Sequence, residues 1–454
     1  MMFNKNFFKG VLVLSVVTVL MNVPFWILSQ VIYINRPVIS YDFLFALLLM
    51  SISTRLALLY LTTSFFGEII SISAFNYQFS NASDFILTVN YLQLLEVAQW
   101  FTIYNVFYAL VIIGALVVIV LSSLLIRKSK VNVRCVVVFI LFIFISDIQV
   151  GSNVFRPQDS IIFRYNLAGS QMFSLVISQL GKKQQAYSNT AVPIGDSVLD
   201  LIDIYQWAEM NPLRSILFVI VESYGHSNIE ELNMWVSAPL SHSEYTLKRS
   251  LVAFRGATTS GELRSLCSLS ASYLTVKAAN VSECLPNRLQ KLGWSTESFH
   301  GFSRAMFDRF QWWKQIGFTQ SVFVEDIHTN TENRCGSIFK GVCDRHLLAL
   351  AMKSLQRPKS FVYVLTLDTH LPVAITPLRA DISALCEKNA LDMVPCMHFQ
   401  NIRNTIEVTM QQVQSMTIKP LVVVIGDHAP PFQTLEYRDL FHDSVVPAFV
   451  LIPK

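Results

Sequence analysis

A chain of 454 residues that is 52% hydrophobic and only 15% charged, with a mean hydropathy of +0.45, is too apolar for a wholly water-soluble protein of this length. Its formal net charge of +4 is modest and its basic residues are scattered, so nothing points to a nucleic-acid partner. The apolar excess is concentrated in the first third of the chain.

Apolar stretches run over about 8–32, 43–61, 103–126 and 131–148, each close to the length that a bilayer's hydrocarbon core requires of a helix. Arg55 and a serine/threonine cluster interrupt the second. Lys5 and Lys9 precede the first stretch, and Arg127, Lys128, Lys130 and Arg134 crowd the turn between the last two. Both places are therefore predicted to be cytoplasmic, with the chain leaving on the outer side after Ile148. That path needs an odd number of crossings. A further span is expected between Thr62 and Trp100, where 65–79 is weakly apolar and 84–101 has the amphipathic character of an interfacial segment. The prediction is a membrane domain of about five spans over 1–150. A connector over 151–212 follows, with an amphipathic helix along the membrane face at 165–180 and a polar, turn-rich stretch after it.

From about Leu213 the pattern changes. Apolar, β-branched runs at 215–221, 360–367 and 421–425, with a further strand expected at 295–300, alternate with helical patterns at 285–292 and 344–355. Such alternation predicts an α/β domain over 213–454 with a mostly parallel sheet covered on both faces and its active site at the carboxyl ends of the strands. Six of the seven cysteines (Cys267, Cys284, Cys335, Cys343, Cys386 and Cys396) fall in this part, as expected of an oxidising compartment. Pairing between neighbours would close short loops, although six cysteines allow fifteen connectivities.

Chemistry gathers at three places. The run ending Gly426-Asp427-His428 reads as a buried strand that stops on an acid and an imidazole, and 215–221 stops in the same way at Glu222-Ser223-Tyr224-Gly225. Between them lies Gly256-Ala257-Thr258-Thr259-Ser260-Gly261-Glu262, read as a small hydroxyl-rich loop. Two carboxylates, one histidine and a hydroxyl suit a zinc or manganese ion, and a coordinated hydroxyl is activated as a nucleophile. Neither a P-loop nor a G-x-S-x-G nucleophile elbow occurs.

These residues, with Phe299-His300-Gly301, Phe307-Asp308-Arg309 and Leu367-Asp368-Thr369-His370-Leu371-Pro372, resemble in order and approximate spacing the lipoteichoic acid synthase type of phosphoglycerol transferase. That group sits in the alkaline phosphatase and sulfatase superfamily beside the membrane phosphoethanolamine transferases. The resemblance covers 215–451 by motif and the amino-terminal part by architecture alone. It implies one divalent ion, Mn2+ or Zn2+, held by Glu222, Thr259, Asp427 and His428, with Thr259 as nucleophile and Thr258 as its alternative one residue away. It implies that Arg309 and His370 hold the transferred phosphate or its glycerol and take part in catalysis. Phe307 stands where the synthases carry tryptophan and Asp308 where they carry asparagine. His300 is either a further pocket residue or a structural one. The activity implied is transfer of a phospho-alcohol head group, phosphoglycerol before phosphoethanolamine, from a membrane phospholipid donor to a glycan or glycolipid acceptor. The place implied is the periplasmic side of a bacterial inner membrane. Hydrolysis of a phosphodiester or sulfate ester is the alternative from another class.

Overall fold

The computed structural model describes residues 5–31, 36–76, 94, 103–129, 131–149, 167–170, 172–173, 192–193 and 198–454, the last range without 279–280, 329, 337, 374–375 and 433–434. The chain forms two compact units, one from Met1–Leu87 with Trp100–Gln184 and one from Thr88–Gln99 with Gln185–Lys454.

The first unit is helical: α1 (Lys5–Val31), α2 (Tyr41–Met50), α3 (Thr54–Asn76), α4 (Ile103–Ser129) and α5 (Val133–Gln149). Among the described residues, three segments are long and apolar enough to cross a membrane: Phe7–Ser29, Thr54–Ile72 and Ala109–Ile126. Helix α5, over the expected stretch 131–148, is 17 residues long. The stretch 43–61, expected as one span, is two helices. Its chain turns at 51–53, where the Ser51 hydroxyl donates to the Leu48 carbonyl at 2.6 Å and the Ser53 N–H to the Leu49 carbonyl at 2.8 Å. Serine side chains compete for the carbonyls that a continuing helix would use, which accounts for the break. Helix α3 takes up residues 65–76 of the region assigned to an extra span. The amphipathic stretch 84–101, apart from Leu94, and nearly all of the interfacial helix 165–180 lie outside the described residues.

The buried charged groups described in this unit meet partners. The Arg36 guanidinium donates to both Glu68 carboxylate oxygens at 3.0 and 2.8 Å and to Asn22 Oδ1 at 3.0 Å, with both charged side chains about 1% exposed. Asp42 accepts from Tyr60, Ser170 and the Met172 N–H, and Asp147 from Tyr41 and the Ala168 N–H.

The second unit carries a seven-stranded sheet. Its strands are β1 (Ile216–Val221), β2 (Tyr245–Ala253), β3 (Ser295–His300), β4 (Gln320–Val322), β5 (Ser360–Leu365), β6 (Leu421–Gly426) and β7 (Val445–Pro453), in the order β2-β7-β6-β1-β5-β3-β4. Strands β6, β1, β5, β3 and β4 run parallel, while β7 is antiparallel to both β6 and β2. Every residue of β1, β5 and β6 is buried, as a strand covered on both faces demands, and this explains their unbroken apolar runs. The helices that matter for the site are α6 (Thr258–Cys267), α7 (Leu285–Lys291), α8 (Arg309–Ile316), α9 (Asp344–Leu355) and α10 (Met393–Gln414). Three disulfides, Cys267–Cys284, Cys335–Cys343 and Cys386–Cys396, join sequence neighbours.

Candidate metal centre

Strands β1 and β6 are adjacent, parallel and in register from Leu421 opposite Ile216 to Gly426 opposite Val221. Their carboxyl ends therefore deliver Glu222 and Asp427-His428 to the same place. Ligand atoms of Glu222, Asp427 and His428 lie within 4.8 Å of one another, and all three residues are buried. His428 Nε2 is 3.3 Å from Glu222 Oε1 and 3.3 Å from Asp427 Oδ2.

A hydroxyl completes the group, and it belongs to Thr258. Thr258 Oγ1 donates to Glu222 Oε2 at 3.1 Å and lies 3.4 Å from His428 Nε2. The segment read as a loop is the first turn of α6, with Ala257 as N-cap and Thr258 as the first helical residue. Successive side chains on a helix are rotated by about 100°, so Thr259, also buried, points away from the direction Thr258 takes. No hydrogen bond joins Thr259 to the three ligands among the described residues. The close seating of α6 depends on Gly261, where a Cβ would come within 2.7 Å of Asp427 Cβ.

The donor set fits a divalent ion. An ion bound at about 2.0–2.1 Å in a tetrahedral site sets its ligands about 3.3 Å apart; four of the separations here, taken to one or the other Glu222 oxygen, are 3.1–3.4 Å, and the ligand atoms of Glu222, Asp427 and His428 lie within 4.8 Å of one another. The remaining atoms of these side chains are already engaged. His428 Nδ1 donates to the Ala429 carbonyl at 2.8 Å, which leaves Nε2 as the coordinating nitrogen. Asp427 Oδ1 accepts the N–H groups of Ser223 and His428, both at 2.8 Å, whereas its Oδ2 is buried without a hydrogen-bond partner. It meets His428 Nε2 at 3.3 Å as an ion pair without a hydrogen bond, and a buried carboxylate oxygen held that way can take a divalent ion in exchange for the imidazole's proton.

Without an ion the group strains against its own charges. Burial, followed by the Glu222 charge, pushes the Asp427 carboxyl up to about 8. Burial works against a charged His428, but the Asp427 and Glu222 carboxylates overcome it and raise the imidazole to about 9. Glu222, buried yet contacted by His428 and attracted by His370, is held below the usual carboxylate range.

Arg309 and His370 stand within electrostatic reach of this cluster. Arg309 is buried at the start of α8, its Nε donating to Glu262 Oε2 at 3.1 Å and its Nη2 paired with the same oxygen at 3.0 Å. The other oxygen of Glu262 accepts from Trp313 Nε1 at 2.9 Å and the Tyr363 hydroxyl at 3.0 Å. Glu262 lies one helical turn beyond Thr258, so a single buried carboxylate ties α6 to Arg309. Arg309 Nη1 makes no hydrogen bond among the described residues. Phe307 packs its ring 5.2 Å from the Arg309 guanidinium in a left-handed turn, φ 56°. The His370 imidazole is lowered by burial, with Arg309 and His428 adding to the effect, and its Nδ1 donates to the Leu371 carbonyl at 2.7 Å. His300 is buried at the end of β3, with Nδ1 3.1 Å from the Leu365 carbonyl and its ring held neutral, down to about 3, by burial and by Arg309.

Sequence reasoning did not single out Ser223, Asp344 or His398 as supports. Asp344 accepts the N–H groups of Leu367 and Asp368 at 2.8 and 3.0 Å, and Asp368 accepts the Asp344 N–H at 3.0 Å, which fixes the turn leading to His370. The only signal for Asp344 was its place in the first turn of a predicted helix.

No protein-family model matches this sequence, and no curated protein matches it. Among solved structures it is similar to the lipoteichoic acid synthase LtaP from Listeria monocytogenes, at 15% identity over 54% of this chain and 66% of that one, with a TM-score of 0.40. It is similar to the Streptococcus pyogenes phosphoglycerol transferase GacH in complex with sn-glycerol-1-phosphate, at 13% identity over 57% and 76% of the two chains, TM-score 0.36. It is also similar to the C-terminal periplasmic domain of EcEptC from Escherichia coli in complex with Zn, at 13% identity over 54% and 74%, TM-score 0.34. At these identities the likeness is one of fold.

Proposed function

We propose that this chain is a metal-dependent phosphotransferase that moves a phospho-alcohol head group, phosphoglycerol by preference, from a membrane phospholipid to a periplasmic or cell-surface glycan. The observation that carries the reading is the Thr258 hydroxyl, placed 3.1 Å from Glu222 Oε2 at the amino end of a buried helix and beside Asp427 and His428. Glu222, Asp427, His428 and Thr258 would hold the ion, Mn2+ or Zn2+. A bound divalent ion lowers the pKa of a hydroxyl oxygen it touches and so supplies a nucleophile at neutral pH.

The residues account for the rest. Thr258 Oγ1 attacks the donor phosphorus in line, the bond from phosphorus to the diacylglycerol oxygen breaks, the proton lost by the Thr258 hydroxyl is balanced by one taken up by the departing diacylglycerol oxygen, and the head group remains on Thr258 as a phosphodiester. The first N–H groups of α6 lack intrahelical partners and face developing negative charge favourably. Arg309, fixed from behind by Glu262, has Nη1 free to donate to a non-bridging oxygen. With Nδ1 of His370 donating to a carbonyl, its Nε2 carries the lone pair and can take the proton of the acceptor hydroxyl. That hydroxyl then displaces Thr258. Residues 213–454 form the catalytic domain in this reading, exposed to the periplasm, with 1–150 as an inner-membrane anchor and 151–212 as connector.

Phosphoethanolamine is the second donor group. Three disulfides favour it, since disulfide-rich outer domains are typical of the ethanolamine transferases, whereas the motifs resemble the phosphoglycerol branch more. One experiment separates the readings. The full chain in detergent is incubated with Mn2+ or Zn2+ and mixed phospholipids, and the mass of the tryptic peptide 256–264 is measured. The expected result is a phosphoglycerol adduct on Thr258 that Thr258→Ala abolishes and Thr259→Ala leaves in place. A phosphoethanolamine adduct would change the donor. No adduct, with soluble phosphodiesters still cleaved, would point to a hydrolase.

A further inference from the structure

Ser223 is the residue between the metal ligands, and its backbone is bent to serve them. It follows β1 and Glu222 directly and sits in the left-handed region at φ 56°, which a residue with a Cβ adopts only when its surroundings hold it there. In that conformation its N–H donates to Asp427 Oδ1 at 2.8 Å and its hydroxyl to Glu222 Oε1 at 3.1 Å. One residue thus orients two of the three ligands. Its remaining polar group, the carbonyl, accepts from the Gly225 N–H within the turn at 3.1 Å and, from outside it, from Nε2 of His398 at 3.0 Å.

His398 comes from α10, 175 positions along the chain, and is 0% exposed. The rings of Phe432 and Phe441 pack on it nearly edge-on at 5.5 and 6.1 Å. Its other nitrogen, Nδ1, is buried without a hydrogen-bond partner. Burial keeps the ring neutral, down to about 4, so the single ring proton sits on Nε2 and Nδ1 is a bare acceptor among aromatic rings. For packing alone this is a poor choice, because a phenylalanine or methionine would fill the space and leave no orphaned polar atom. What the imidazole adds is the one hydrogen bond to Ser223.

We infer that His398 is a positioning residue for the metal centre, clamping the left-handed Ser223 turn so that Glu222 and Asp427 present their oxygens to a divalent ion. Hydrogen bonds of this kind, one layer behind the ligands, orient donors and raise affinity. The inference rests on the metal reading of the Glu222, Asp427 and His428 cluster.

The full chain, purified in detergent and stripped with a chelator, is titrated with Mn2+ against a chromophoric competitor, with Glu222→Ala as the control that removes a ligand. The expected result is that His398→Phe weakens Mn2+ binding by about 10–100-fold while the chelator-treated protein unfolds at the same denaturant concentration or a higher one. His398→Gln, which keeps an N–H to offer Ser223, recovers most of the affinity. If the phenylalanine variant does not fold, His398→Met, unbranched and adaptable, replaces it. Wild-type affinity in the apolar variant would overturn the inference, as would a glutamine variant no better than the apolar one, or a loss of affinity matched by an equal loss of metal-free stability. A wild-type protein that binds Mn2+ no better than Glu222→Ala would overturn the metal reading itself, and this inference with it.

Discussion

The helical unit buries its charges in closed groups, whereas the α/β unit has an open group beside its closed Arg309–Glu262 pair. In the helical unit Arg36, Glu68 and Asn22 satisfy one another, and each carboxylate of Asp42 and Asp147 finds hydroxyl and N–H donors. In the α/β unit two carboxylates and an imidazole converge, one carboxylate oxygen has no hydrogen-bond partner, and Asp427 is driven up to about 8. A buried ionic group with all its partners is a structural device, whereas one assembled with a partner missing is a site for that partner. The contrast is a physical argument for function that needs neither a bound ion nor a relative.

The largest effect that could break this contrast lies in catalysis. Thr258→Ala should lower turnover by at least about 10^4-fold, as loss of a nucleophile does, while Thr259→Ala changes it little. The reverse outcome would return the nucleophile to position 259. Next in size is a test on the helical side. Arg36→Ala leaves Glu68 buried and unpaired and should destabilise the chain by roughly 3–5 kcal/mol, whereas replacing the pair together with Met and Leu should cost far less. Denaturant unfolding in detergent measures both, and equal losses would mean that the pair does more than satisfy itself.

How far the sequence foretold this arrangement depended on whether the signal was local. Strands β1, β5 and β6 were readable because a strand covered on both faces becomes a continuous apolar run, and the register of β1 with β6 then follows from where those runs stop; β3, Ser-Thr-Glu-Ser-Phe-His, is buried without being apolar and was placed only by the helix before it. Strand β2 escaped notice because Lys248, Arg249 and Ser250 interrupt its apolar residues along an exposed edge, and β7 because Pro447 and Pro453 speak against a paired strand. The disulfides join neighbours, the pairing that closes short loops, but spacing alone could not choose it from fifteen connectivities. The choice between Thr258 and Thr259 was not readable either, because it turns on which residue begins α6, and helix ends are the least legible feature of a sequence. The links from Ser223 to His398 and from Glu262 to Arg309 span 175 and 47 positions and leave no local pattern at all.

Metal affinity should follow pH with a definite sign. A coordinating carboxylate and imidazole must be deprotonated, and in the empty site Asp427 holds its proton up to about 8 and His428 up to about 9. Binding below pH 8 therefore releases two protons, and affinity should climb by about a hundredfold per pH unit. Between 8 and 9 one proton remains to be displaced, the gain falls to about tenfold, and above 9 affinity levels off. Calorimetric titration with Mn2+ in buffers of different ionisation enthalpy counts the protons directly. A pH-independent affinity from 6 to 8 would mean that the cluster does not hold the ion.

The smallest effect sharpens the contrast most. Because the Asp427 carboxyl is raised in the folded protein above the ordinary 3.8, the folded state holds a proton that the unfolded chain gives up. Asp427 therefore destabilises the metal-free protein progressively as pH rises from about 4, and the penalty levels off above about 8. Asparagine keeps the Oδ1 acceptor for the Ser223 and His428 N–H groups and removes the titrating oxygen. Asp427→Asn should then stabilise the metal-free protein by roughly 1–3 kcal/mol at pH 7 and by almost nothing at pH 4, while abolishing the stabilisation that added Mn2+ gives the wild type. Chemical unfolding with a chelator present, at the two pH values, provides the measurement. A loss of stability at pH 7 would place Asp427 with Glu68, as a satisfied structural acid, and would remove the difference between the two units from which the functional reading begins.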